Sequence, residues 1–312
     1  MMWRGLSRQQ ISAADLFARD LFGFDARPRQ RWPARLGSAS VAMRSYGRED
    51  AEDLEADESW SLQERVQGGT DNRVQVLAQC HNPSTTLFPF NTICHIDQGT
   101  VNATGTLIAP RVVLTAGHVV KGPPSVVVTP GANFPAPFEP DRRPALPRSQ
   151  TAASSTFRFH PTLDLALVLL PARFTRPCQF MMLQPRGNVN TATLLTIAGY
   201  PRVAPTPGGT PLPGSMWRHS DRLQITGVTD THLTYQIDTT VGQSGSPLWL
   251  LGDHCIRLLL GVHIRGTSAS NQGVRITCAV IDWIEATCRA ASITPLPIVD
   301  AVQRRRCPAA AT

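Results

Sequence analysis

Three residues have the types and the chain order of one catalytic unit: His118 at the end of Thr115-Ala116-Gly117-His118, Asp164 at the head of the apolar run Leu165 to Leu170, and Ser244 within Gly242-Gln243-Ser244-Gly245-Ser246-Pro247. A serine hydroxyl is a weak nucleophile at neutral pH and needs a neighbouring base to take its proton, a task for which imidazole titrates in the right range. His118 is the candidate base. An imidazole that takes a proton must be held in one tautomer and have its charge balanced, which a carboxylate accepting the other ring N–H achieves. Asp164 is the candidate for that. The oxyanion formed when the serine attacks a carbonyl needs preorganised donors, and a glycine two positions before the serine lets two backbone N–H groups converge. Gly242 and Ser244 are the candidate donors.

Singly, each residue has an ordinary structural reading: a turn, a structural histidine, an aspartate that opens a strand. Jointly they occur in the order His, Asp, Ser, which is one of the known triad orders. An esterase elbow of the Gly-x-Ser-x-Gly kind is excluded, because Ser246 occupies the place of its last glycine and its partners would follow the serine.

The flanking sequence predicts how these residues are held. Thr106 to Pro110 and Arg111 to Thr115 read as two short β-rich runs broken at a proline, a hairpin that delivers His118. Leu165 to Leu170, ended by Pro171, and Pro247 to Leu251 read as buried strands beside Asp164 and Ser244. With 26 prolines, 23 glycines and only 17% charged residues, the composition suits a turn-rich all-β protein better than a helical one.

The sequence resembles the chymotrypsin-like serine protease superfamily, and within it the bacterial glutamyl endopeptidases, over Arg65 to Arg289. Beyond the triad, the resemblance rests on Gly199-Tyr200-Pro201, Met216-Trp217, Tyr235 with Asp238-Thr239-Thr240, and Gly261-Val262-His263. The trypsin pattern would place Cys after the histidine and Asp-Ser-Gly-Gly-Pro at the nucleophile, whereas this chain has Val119 and Gln243-Ser244-Gly245-Ser246-Pro247. The resemblance implies two packed six-stranded antiparallel barrels, a short C-terminal helix and no cofactor or metal. The activity it implies is serine endopeptidase action on proteins or peptides through an acyl-enzyme. It further implies that Thr239 and His263 hold the acidic side chain of a substrate cut after Glu, and less readily after Asp. Two alternatives stay open. Asp238 lies six residues before Ser244, where a trypsin-like enzyme keeps the carboxylate that binds Arg or Lys, and an inactive protease fold could act as a binding module.

The resemblance divides the chain into a leader or propeptide (residues 1–64), a protease domain (65–292) and a C-terminal tail (293–312). The leader has apolar residues at helical spacing from Ile11 to Phe24 and an acidic run from Glu49 to Glu58, but no secretory signal core. Glu64 precedes Arg65, a junction that an enzyme cutting after Glu could process itself, and the resemblance implies a zymogen and an exported protein. The net charge of +7 does not indicate nucleic-acid binding, because the basic residues are scattered and lack interleaved aromatics. No apolar run is long enough to span a membrane, and the expected state is a monomer. Among the 7 cysteines there is no Cys-x-x-Cys pair and no histidine at zinc-finger spacing. Cys80 with Cys94, and Cys278 with Cys288 or Cys255, are the pairings to test. Asn102-Ala103-Thr104 matches the glycosylation pattern.

Overall fold

The computed structural model describes residues 72–76, 84–99, 101–133, 149–175, 179–185, 189–202, 214–219, 223–251, 256–266 and 270–293. The leader, the Glu64–Arg65 junction, four of the cysteines and nearly all of the C-terminal tail lie outside these residues.

After a first short strand, β1 (Arg73–Val76), the chain builds one sheet from β2 (Ile93–Asp97), β3 (Asn102–Ala109), β4 (Val112–Thr115), β5 (Ser125–Pro130), β6 (Gln150–Ala153), β7 (Phe157–Phe159) and β8 (Ala166–Leu169). Its order is β6-β5-β2-β3-β4-β8-β7, antiparallel throughout, curled into a nearly closed barrel. The predicted hairpin is β3–β4, with Thr106 opposite Leu114 and Leu107 opposite Val113. Every residue of β4 and β8 is buried, as expected for runs without polar alternation.

The second half comprises β9 (Met182–Leu183), β10 (Leu194–Gly199), β11 (Met216–His219), β12 (Leu223–Val228), β13 (His232–Tyr235), β14 (Pro247–Leu251), β15 (Arg257–Gly266) and β16 (Asn271–Arg275). The order β10-β12-β13-β16-β15-β14 closes back onto β10, giving a six-stranded barrel. Its interior holds Leu195, Ile197, Ile225, Leu233, Tyr235 and Leu248. Strand β11 pairs with β10, and β1 pairs with β11, so the first strand of the described chain belongs to the second half.

Among the described residues two α-helices accompany the strands: α1 (Gly117–Val120), one turn after β4, and α2 (Cys278–Ala290), the expected C-terminal helix. Thr277 caps α2 by accepting the Val280 N–H at 3.2 Å, and Val280, Ile281, Ile284 and Cys288 form its buried stripe. Among the described residues no helix is long and apolar enough to cross a membrane.

Two of the expected cysteine pairings require correction. Cys94 is a free thiol buried on β2, so it does not pair with Cys80. Cys288 is also free, whereas Cys278 is disulfide-bonded. Both lie on α2, where ten residues at 1.5 Å rise separate them by about 15 Å, far beyond the roughly 7 Å limit for bridged Cα atoms.

Candidate active site

Strand pairing brings His118 and Asp164 together. Thr115, the last residue of β4, lies opposite Ala166, the first of β8, so the residues just beyond these antiparallel strand ends emerge at one edge of the barrel. His118 enters α1 there, and Asp164 lies in the approach to β8. His118 Nδ1 is 2.7 Å from Asp164 Oδ2, while Asp164 Oδ1 accepts the His118 backbone N–H at 2.8 Å. A Cβ on Gly117 would come within 2.9 Å of Oδ1, so the missing side chain makes room for the carboxylate. Burial pushes the Asp164 pKa up, but the His118 ring bond and charge, with the N–H groups of His118 and Gly117, outweigh it and hold the carboxyl below its ordinary value.

The approach to Asp164 is itself braced. His160 Nδ1 accepts from the N–H groups of Thr162 and Leu163 at 3.3 and 3.1 Å, and its ring meets Trp283 of α2 edge-on with centroids 5.0 Å apart. Burial lowers the His160 pKa, favouring the neutral ring that accepts these bonds. An open, largely apolar cleft of about 360 Å³ lies beside His118, lined also by Lys121, Phe159, His160 and Leu163.

The Ser244 turn is wedged between the barrels. Gly242 has φ +96°, and a Cβ there would sit 2.5 Å from the Tyr200 carbonyl oxygen; Gly245 has φ +86°, and its Cβ would sit 1.9 Å from the Thr104 carbonyl oxygen. Only glycine meets both demands. Gln243 N–H donates to Thr240 O at 3.0 Å, Ser246 N–H to Gln243 O at 2.9 Å and Gly245 N–H to His263 O at 2.7 Å. From the first barrel, Thr104 N–H donates to Ser244 O at 3.0 Å, and the Thr104 hydroxyl donates to Gly242 O at 2.8 Å. Thr115, three residues before His118, donates its hydroxyl to Thr104 O at 2.7 Å. Thr104 thus ties the serine turn to the strand that delivers the histidine. Its hydroxyl is committed in the interior, although its sequence context matches a glycosylation site.

The candidate pocket residues flank this turn. His263 on β15 is wholly buried, and its Nδ1 lies 2.6 Å from the Tyr235 hydroxyl. Thr239 is wholly buried too, and its Oγ1 has no hydrogen-bond partner among the described residues. Neither side chain reaches the surface in this structure. Asp238 is otherwise engaged: its Oδ2 accepts the Asn72 N–H at 2.8 Å and lies 3.4 Å from His219 Nε2, with both side chains 2% exposed.

One further contributor has no motif to mark it. Arg73 of β1 is buried and donates from Nη1 to Thr240 Oγ1 at 2.6 Å and to Gln243 Oε1 at 3.0 Å, while Gln243 Oε1 also accepts the Thr240 N–H at 3.0 Å. Among the described residues no group of three or more His, Cys, Asp or Glu side chains could hold a metal ion.

The trypsin-like peptidase domain matches residues 103–255, a stretch that includes His118, Asp164 and Ser244 and ends before His263. A glutamyl endopeptidase of Bacillus licheniformis is 28% identical over 231 residues, covering 69% of this chain and 66% of its own length, so the matched segment spans just under two thirds of that relative. A solved structure of a Glu endopeptidase in complex with MPD superposes with a TM-score of 0.54 at 26% identity, covering 70% of this chain and 97% of that one. The chain thus has the chymotrypsin-like fold, and just under half of it matches the trypsin-like peptidase domain.

Proposed function

We propose that the protein is an endopeptidase whose triad is Ser244, His118 and Asp164 and whose pocket prefers Glu, then Asp, before the cut. Ser244 Oγ attacks the scissile carbonyl carbon while His118 Nε2 takes its proton, and Asp164 accepts the Nδ1 N–H and balances the imidazolium. The Gly242 and Ser244 amides hold the oxyanion. Collapse breaks the C–N bond as His118 protonates the leaving amine, and water, deprotonated by His118, then hydrolyses the acyl-enzyme. The observation that carries this reading is the doubly bonded Asp164–His118 pair, linked through Thr115 and Thr104 to the Ser244 turn.

The preference for Glu rests on two neighbouring observations. In the tautomer in which His263 Nδ1 accepts the Tyr235 hydroxyl, Nε2 bears the ring N–H and can donate to a carboxylate, and the Thr239 hydroxyl is a second buried donor. The Asp238 carboxylate is engaged by Asn72 and His219, which supports Glu rather than Arg or Lys before the cut. The similar Bacillus protein and the superposed structure are both named for glutamyl cleavage, in keeping with this assignment. Residues 65–292 would form the catalytic unit, and the disulfide at Cys278 favours an oxidising, extracytoplasmic setting.

The test is a fluorogenic peptide series differing only in the residue before the cut, run beside fluorophosphonate labelling. Hydrolysis should rank Glu over Asp with Arg and Lys poor, and the label should map to Ser244. Ser244→Ala should lose about 10⁶-fold in turnover while staying folded. Label at another residue, or a variant that keeps turning over, would refute the triad; preferred cutting after Arg would refute the pocket.

A further inference from the structure

We infer that Arg73, on the N-terminal strand β1, is a positioning residue for catalysis: its guanidinium fixes Thr240 and Gln243 and thereby the peptide that presents Ser244. The inference rests on the triad reading above. Strand β1 lies in register with β11, Arg73 opposite His219, and this pairing directs the Arg73 side chain to the turn, 167 to 170 residues further along the chain. Both hydrogens of Nη1 are committed, one to Thr240 Oγ1 and one to Gln243 Oε1. Because a guanidinium only donates, it obliges the Gln243 amide to turn its oxygen toward β1. That oxygen simultaneously accepts the Thr240 N–H, and the Gln243 N–H returns to Thr240 O, so residues 240 and 243 form a closed ring with Arg73 as its outer clasp. The other half of the amide, Nε2, is buried with no partner among the described residues, so nothing on that side competes to hold the group.

The clasp acts on the reacting centre through one peptide unit. The carbonyl of Gln243 and the N–H of Ser244 belong to the same rigid plane. The carbonyl points to Ser246 N–H, which fixes the opposite direction for the Ser244 N–H, the proposed oxyanion donor. Without Arg73, the Gln243 oxygen keeps only the Thr240 N–H, and the 243–244 peptide, held by its remaining bonds to Thr240 and Ser246, gains freedom to rotate its N–H. An oxyanion donor acts in the transition state, so its misplacement lowers kcat and leaves KM nearly unchanged.

Arg73→Ala, Arg73→Lys and Arg73→Met should be compared with wild type on the best peptide substrate, with thermal melts and with guanidinium ion added well below unfolding concentrations. Arg73→Ala should lose about 10- to 100-fold in kcat with KM within about twofold, since loss of one oxyanion donor costs 10²–10³ and rotation would be partial. Added guanidinium should recover part of that loss in Arg73→Ala. Lysine, lacking the planar fork, should restore less than arginine. Folded variants with wild-type kcat, or a loss confined to KM, would overturn the inference. So would failure of both Arg73→Ala and Arg73→Met to fold, which would assign Arg73 to stability alone. Fluorophosphonate labelling of wild type separates the two levels. No label at Ser244 would sink the triad reading and this inference with it, whereas labelled, active wild type with indifferent Arg73 variants would sink only the inference.

Discussion

Asp164→Asn should abolish nearly all turnover while leaving the protein folded, and the geometry explains why a near-isosteric change is so costly. Oδ1 faces the His118 backbone N–H at 2.8 Å and Oδ2 faces His118 Nδ1 at 2.7 Å. An asparagine must place its NH₂ on one of those two sides. The backbone N–H is always a donor, so an amide nitrogen cannot replace Oδ1; the imidazole can change tautomer, so the NH₂ settles against Nδ1. That forces the proton onto Nε2, the atom that must accept the Ser244 proton. The same replacement in another triad costs about 10⁴ in kcat, about 5.4 kcal/mol at 1.36 kcal/mol per tenfold. Both hydrogen bonds survive with their roles adjusted, so the melting temperature should hold within a few degrees. Acid titration supplies an independent reading. A carboxyl whose folded pKa is depressed adds stability that is present above its unfolded pKa and is lost as pH falls through the folded value. Wild type should therefore lose more stability on acidification than Asp164→Asn. Steady-state kinetics with differential scanning fluorimetry across pH tests both halves. A folded variant within tenfold of wild-type kcat would refute the tautomer reasoning.

Gly245→Ala should be destabilised by at least about 2 kcal/mol through its positive φ and its Cβ clash with Thr104 O; Gly99→Ala, with φ +93° but nothing within 4 Å, is the control that should lose less in urea unfolding. His263→Ala should reduce the preference for Glu over an uncharged residue by about 10- to 100-fold, the equivalent of roughly 1.5–3 kcal/mol for a bond to a charged group; an unchanged ratio in matched-peptide kinetics removes His263 from the pocket. Asp238→Asn should lower the melting temperature by weakening the contacts to Asn72 and His219 while leaving the ranking of Glu over Arg intact. Arg cleavage that is strong in wild type and vanishes in Asp238→Asn would install the trypsin-like pocket instead.

What was legible in the sequence was what local pattern or chemistry marks. The run Pro247–Leu251 is β14 to the residue, because an uninterrupted apolar stretch after a turn has one economical home in a closed barrel. The hairpin was located at its proline, although β3 begins four residues earlier, at Asn102, where polar residues mask the strand. His118 and Asp164 were legible as a pair because the order of residue types carries meaning before any distance is known.

What was not legible was direction. A cysteine's spacing says nothing about which face of a strand or helix it takes, and Cys94 and Cys288 both turned inward as free thiols. Thr104 was visible only as part of a glycosylation pattern, yet it bonds to Gly242, 138 residues away. Asp238 is the sharpest case. Its spacing from Ser244 equals that of a cation-binding carboxylate, and spacing alone leaves two opposite specificities open. The orientation is fixed by a partner 166 residues upstream, the Asn72 N–H at the entry to β1, and by a buried histidine on the strand that β1 pairs with. Strand β1 therefore touches both flanks of the nucleophile turn, Asp238 through Asn72 and Gln243 through Arg73. Changes at Arg73 should accordingly register in turnover before they register in the core, whereas loosening Asp238 should register in stability and leave the ranking of Glu over Arg intact.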